Sequence, residues 1–225
     1  MDWASVIERQ HGALLRIMAV LFAMAGLAEG ETVATLPNNV YRAVLRVLRP
    51  AESAVRRLVI IAARGLVISP RPVRAFLEGL PLLPRRDEAR NASFCLIDPL
   101  KRFAPATPQE LAGPIPRISI PGLYDPVFID QQVSTAEETI SAAHLCRRLL
   151  ALRYALNDLP RQARRLARWK ARRDLALLGR KVGRLSPFRP GRPPGHQKRP
   201  THEVDEVLLD CHYFALEACK TLDTS

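Results

Sequence analysis

The first long apolar run of the chain is Gly12–Ala28, seventeen residues with Arg16 as the only charge. A membrane-crossing helix needs about 20 residues and at least about 17, because the rise is about 1.5 Å per residue. The run reaches that minimum. Arg9 and Arg16 precede it and Glu29 and Glu31 follow it, an arrangement that favours an N-terminus on the cytoplasmic side. The expectation is therefore a helix over 2–28 that enters the cytoplasmic membrane, N-terminus inside, with Met18, Leu21 and Phe22 as lipid contacts. Three alternatives compete for the same run: a buried helix of a protein in the cytoplasm, a cleaved signal peptide with a weakly charged leading region, and a helix lying in the membrane plane, for which Leu21 and Phe22 lack a strongly charged opposite face.

Further along, Val40, Val44, Val47 and Leu48 recur at helical spacing and predict a short amphipathic helix, with Arg42, Arg46 and Arg49 on other faces. Pro50 is read as its end and as the first turn of a second helix. That helix, within Ala51–Ile68, is apolar from Leu58 onward, and Arg56 and Arg57 are read as a solvated turn or a headgroup contact. Val73, Phe76, Leu77 and Leu80 suggest one more short helix.

From Pro81 to Pro126 there are nine prolines in 46 residues, which forbids long helices. Phe94, Leu96, Phe103, Ile118 and Phe128 are scattered through this region, so an ordered extended wrap is expected. Short strands are predicted at Phe94–Ile97 and Arg117–Ile120. Ser134–Leu159 then reads as the strongest helix. Ser134 and Glu137 have capping-box spacing, and Ala142, Leu145, Cys146, Leu149, Leu152 and Leu156 form one apolar stripe. Glu203–Leu222 closes the chain as an amphipathic helix with Val204, Val207, Leu208, Cys211, Ala215 and Ala218 on its apolar face.

The fold class that follows is mainly α: an irregular helical bundle with a proline-rich extended middle segment and a basic C-terminal helix and arm. The organisation is 1–80 for the N-terminal helices, 81–132 for the wrap, 133–180 for a helical pair, 181–201 for the arm and 202–225 for the closing helix.

Charge changes this picture. The chain of 225 residues carries a formal +12, from 29 arginines and 5 lysines against 22 acids. The excess is concentrated: residues 153–199 carry +13, and residues 200–225 carry −5. Arg161–Asp174 holds seven cations and one acid. Arg161, Arg165, Arg168 and Arg172 fall on one helical stripe, with Arg164 beside it and Trp169 next to it. Arginine suits bidentate contact with phosphate or carboxylate. The expected partners are an anionic membrane surface or an acidic protein, with nucleic acid as the other candidate. Neutralisation by the acidic C-terminal helix is the competing structural reading.

Catalytic and metal chemistry find no foothold. Cys95, Cys146, Cys211 and Cys219 are too sparse for a disulfide scaffold. His202, Cys211, His212 and Cys219 lack the paired short spacing of a closed zinc site. No histidine sits in a recognisable nucleophile motif, and no glycine-rich phosphate loop is present, so no cofactor is expected. A non-catalytic binding or scaffold role at the membrane is the reading from sequence. Its alternatives are a nucleic-acid-associated protein using 161–199 and an enzyme of unrecognised type.

Overall fold

The axis of the molecule is the helix α2, Asn38–Ala62. From Ser53 to Ile61 every one of its residues is buried, because helices pack on all its sides. The computed structural model describes residues 2–27, 33–69, 93–99, 139–177, 186–189 and 191–220. Among these, the protein is mainly α-helical with five helices: α1 (Trp3–Met24), α2, α3 (Ala143–Asn157), α4 (Leu159–Leu177) and α5 (Glu203–Lys220). Helices α1, α3, α4 and α5 all contact α2, and α1 also meets α3 and α5.

Two short strands clip the start of α2 to the start of α3. β1 (Thr35–Pro37) pairs antiparallel with β2 (Thr139–Ser141), Leu36 opposite Ile140. The Ala142 N–H extends the ladder to the Ala34 carbonyl at 2.8 Å. The sequence reading differs at both places. It has no strand at 35–37 or 139–141, and it starts the helix that ends at Leu159 at Ser134. The helix starts at Ala143, and 134–138 lie outside the described residues.

The N-terminal apolar run is corrected most. No helix among the described residues is long and apolar enough to cross a membrane. α1 ends at Met24, with Gly26 at φ +63° behind it. The Leu27 N–H bonds the Phe22 carbonyl at 3.0 Å and the Gly26 N–H bonds the Ala23 carbonyl, a left-handed glycine stop that halts the helix short of the expected end at Ala28. One face of α1 is buried: Gln10, Ala13, Leu14, Ile17, Met18 and Leu21. The opposite face is open to solvent, with Arg16 ion-paired to Glu203 at 2.9 Å. The membrane-inserted helix, the membrane placement and the membrane-bound scaffold role fall together with this geometry. Of the expected lipid contacts, Met18 and Leu21 are core residues, and Phe22 is half-buried beneath the Arg153 guanidinium, 5.6 Å from its ring centroid.

Pro50 does not divide α2. It lies inside a continuous helix of 25 residues and is itself buried. Proline removes one helical N–H, here the donor to the Arg46 carbonyl. Tertiary burial on both sides of the break outweighs that loss. The expected strand at Phe94–Ile97 is irregular chain. The strand at Arg117–Ile120 and the helix around Val73–Leu80 lie outside the described residues, as does the wrap apart from 93–99.

Two elements follow their sequence pattern closely. On α3, Leu145, Cys146, Leu149, Leu152 and Leu156 are all buried, with Ala142 buried at its N-cap. On α5, all six residues of the expected apolar face are buried. Asp205 Oδ2, in the first turn of α5, accepts the N–H of Thr201 at 3.0 Å and of His202 at 3.3 Å, which satisfies donors ahead of the helix.

Candidate functional site

Helix α4 begins at a polar hinge. The Asp158 side chain accepts the Arg161 N–H at 3.1 Å, and Pro160 stands in the first turn, where its missing donor costs nothing. Leu159, Ala163, Leu166 and Ala167 bury the inner face. That choice of inner face turns Arg161, Arg164, Arg165, Arg168 and Arg172 outward, and all five are exposed. The structure thus brings the expected arginine stripe together on one open helix surface. Trp169 is half-buried at its edge, with Arg173 stacked 5.6 Å from its ring and ion-paired to Asp174 at 2.7 Å.

Four of the five acids of α5 are engaged elsewhere, and the fifth, Glu206, is exposed. Glu203 pairs with Arg16, Asp210 accepts from Gln10 at 3.2 Å, Glu217 pairs with Lys220 at 2.8 Å, and Asp205 holds the start of its own helix. Among the described residues, none of Arg161, Arg164, Arg165, Arg168 and Arg172 forms an ion pair with a carboxylate. Arg165 has a different engagement: its Nη1 donates to the Phe94 carbonyl at 2.7 Å and to Gln162 at 3.3 Å.

Phe94 leads into a cluster that the sequence reading misses. Residues 93–99 form a clasp between α2 and α4, held by arginines along its length. Arg56 Nε donates to the Cys95 carbonyl at 3.1 Å, and its guanidinium lies 5.8 Å from the Phe94 ring centroid. Arg57, 1% exposed, donates from Nη2 to Asp98 Oδ2 at 2.7 Å and from Nη1 to Asp98 Oδ1 at 3.2 Å. The same Nη1 reaches Ser53 Oγ at 2.7 Å, and Arg57 Nε donates to His212 Nδ1 at 3.2 Å. Arg148 grips Glu52 with two bonds of 2.8 and 2.9 Å.

These contacts set the protonation states. Burial alone would raise the Asp98 carboxyl. The Arg57 hydrogen bonds, the charges of Arg57 and Arg56 and the Arg189 N–H outweigh it, and the group sits below the usual carboxylate value. Burial, helped by the neighbouring Arg57 charge, lowers His212. The Cys211 thiol is pushed up to about 12 by burial and Asp210 and is an inert core group. Arg56 is lowered by burial, against the pull of Glu52 and Asp98.

The arginines thus sort into two populations. Arg56, Arg57 and Arg148 are structural and paired. Arg161, Arg164, Arg168 and Arg172 project to solvent with no carboxylate among the described residues. No cluster of three or more histidine, cysteine or acidic side chains among the described residues could hold a metal ion. No protein family, no curated protein and no solved structure matches this chain at a significant level.

Proposed function

We propose that the protein binds nucleic acid through the exposed arginine face of α4, by contacts to the phosphate backbone without base readout. The observation that carries this reading is the row Arg161, Arg164, Arg168 and Arg172, exposed and without a carboxylate partner among the described residues. Successive arginines stand three to four residues apart, so they rise about 4.5–6 Å per step along the helix. Phosphates of a strand recur on the same length scale, about 3.4 Å of axis per charge on each strand of a duplex. Arginine over lysine, 29 to 5, favours the planar two-bond contact with phosphate oxygens. The half-buried Trp169 at the edge of the row offers limited ring surface, so stacking contributes little beside charge.

An acidic protein would meet the same row, and the test separates the two. Fluorescence anisotropy with labelled duplex DNA, single-stranded RNA and polyglutamate of matched charge measures the preference. Tighter binding to either nucleic acid than to polyglutamate, lost in the joint Arg161→Gln, Arg164→Gln, Arg168→Gln, Arg172→Gln variant, supports the reading. Equal binding to polyglutamate, or full binding by that variant, overturns it. Arg165 is left in place because it holds the Phe94 carbonyl.

A further inference from the structure

A second basic feature lies on α2, away from the α4 row in sequence. Arg42, Arg46 and Arg49 follow one another at four and three residues, which places them on one face of the helix. Opposite them runs the chain at 195–197. The two walls enclose an open cavity of about 350 Å³ lined by Arg42, Leu45, Arg46, Arg49, Gly195, His196 and Gln197. Among the described residues, three guanidinium groups and an imidazole line it, and no carboxylate does.

The far wall is fixed by one close approach. Gly195 adopts φ +85°, and a β carbon there would meet the backbone nitrogen of Pro50 at 2.6 Å and its Cα at 2.8 Å. Only glycine lets the loop seat this deeply on the helix. The His196 N–H bonds the Pro193 carbonyl at 3.1 Å, closing the turn that delivers His196 to the cavity. Arg46 is held in place by Thr201 Oγ1 at 3.1 Å and Gln197 Oε1 at 3.5 Å. Arg42 and Arg49 have no hydrogen-bond or ion-pair partner among the described residues. Arg192, Lys198 and Arg199 stand exposed nearby in the chain and add to the positive field.

The geometry points to a binding site for a phosphoryl group in this cavity, held by Arg42, Arg46 and Arg49 and large enough to admit a nucleotide-sized ester. One arginine is oriented beforehand by neutral oxygens that leave its charge intact. The other two are available to close on phosphate oxygens with charge-assisted bonds. The site does not depend on α4, so its failure and the failure of the α4 reading are separable.

The test uses the full chain with inorganic pyrophosphate, adenosine 5′-monophosphate and adenosine as probes, followed by isothermal titration calorimetry. Wild-type protein is expected to bind the first two and not adenosine. The joint Arg42→Gln, Arg49→Gln variant is expected to lose affinity at least about tenfold, as expected for lost charged hydrogen bonds, with an unchanged melting temperature. The four-residue α4 variant is expected to bind pyrophosphate as wild type does. A 5′-phosphorylated oligonucleotide, titrated into the four-residue α4 variant so that the α4 row does not contribute, separates two sources of the group. Tighter binding than the mononucleotide identifies a nucleic-acid phosphate, and equal binding identifies a free ester. No pyrophosphate binding by wild type, undiminished binding by the Arg42/Arg49 variant, or loss of binding in the α4 variant instead overturns the site.

Discussion

Arg57 and Asp98 form a two-bond ion pair, each side chain 1% exposed, between residues 41 apart in sequence. The pair fastens the 93–99 clasp to the central helix. Without Asp98 the buried Arg57 charge keeps only the neutral acceptors of Ser53 and His212 and loses its carboxylate. Asp98→Ala is therefore expected to destabilise the fold by about 3–5 kcal/mol, the usual cost of breaking a buried pair from one side. Urea denaturation measures it. A loss below about 1 kcal/mol, the scale of an exposed pair, would show that the pair is solvated.

His212 gives stability a pH dependence. Its Nδ1 accepts from Arg57 Nε, so the bond needs the neutral ring. Arg57, Asp98 and His196 are the charged or titratable groups acting on it, and burial and Arg57 place its folded pKa below the ordinary 6.5. The unfolded state then binds more protons than the native state as pH falls past that ordinary value. Stability is expected to be full above the unfolded pKa and to be lost as pH falls through the folded one. The Asp98 carboxyl, lowered from 3.8, repeats the behaviour in a separate and more acidic window. Melting temperature against pH, with His212→Gln as the control, checks this. The variant should flatten the decline below neutrality and leave the acid step in place.

Two glycines should respond with opposite signs. Gly12 lies inside α1 with nothing within 4 Å of an added β carbon, so Gly12→Ala is expected to stabilise by about 0.5–1 kcal/mol. Gly195→Ala meets both a left-handed backbone and the Pro50 main chain, and is expected to cost more than the about 1–2 kcal/mol of the backbone conformation alone. Thermal unfolding of both variants decides. A neutral Gly195→Ala would mean that the loop is not seated on α2.

Leu21→Ala separates a core residue from a lipid contact. Leu21 is fully buried, and its truncation is expected to cost about 2–5 kcal/mol. A loss near zero on denaturation would place this side chain outside the core.

How far the sequence reveals this structure depends on how local each cause is. The faces of α3 and α5 are legible because a stripe at three- and four-residue steps has one plausible burial. The start of α4 is legible because Asp158 and Pro160 carry capping chemistry in their side chains. The run Gly12–Ala28 misleads because hydropathy reports how apolar a helix is, whereas Arg16 and Glu203 meet only in the folded chain. Pro50 misleads for the same reason: it weakens a lone helix, and the neighbours that keep α2 continuous through it come from far along the sequence. The burial of Arg57 has no local signal beyond its place in an apolar helix, since its carboxylate partner is the distant Asp98; Arg56 has a local one as well, Glu52 four residues earlier at 3.5 Å. The exposed α4 row is legible from arginine spacing. The cavity at Arg42, Arg46 and Arg49 shows half of itself in that spacing and hides the other half in a distant glycine.

The salt dependence of nucleic-acid binding tests the α4 assignment most directly. Each phosphate contact removed should lower the slope of log affinity against log salt concentration by about 0.9 for a duplex. With wild type and the Arg161, Arg164, Arg168, Arg172→Gln variant measured side by side, the slope should fall by about 3–4. Parallel slopes for the two proteins would contradict it.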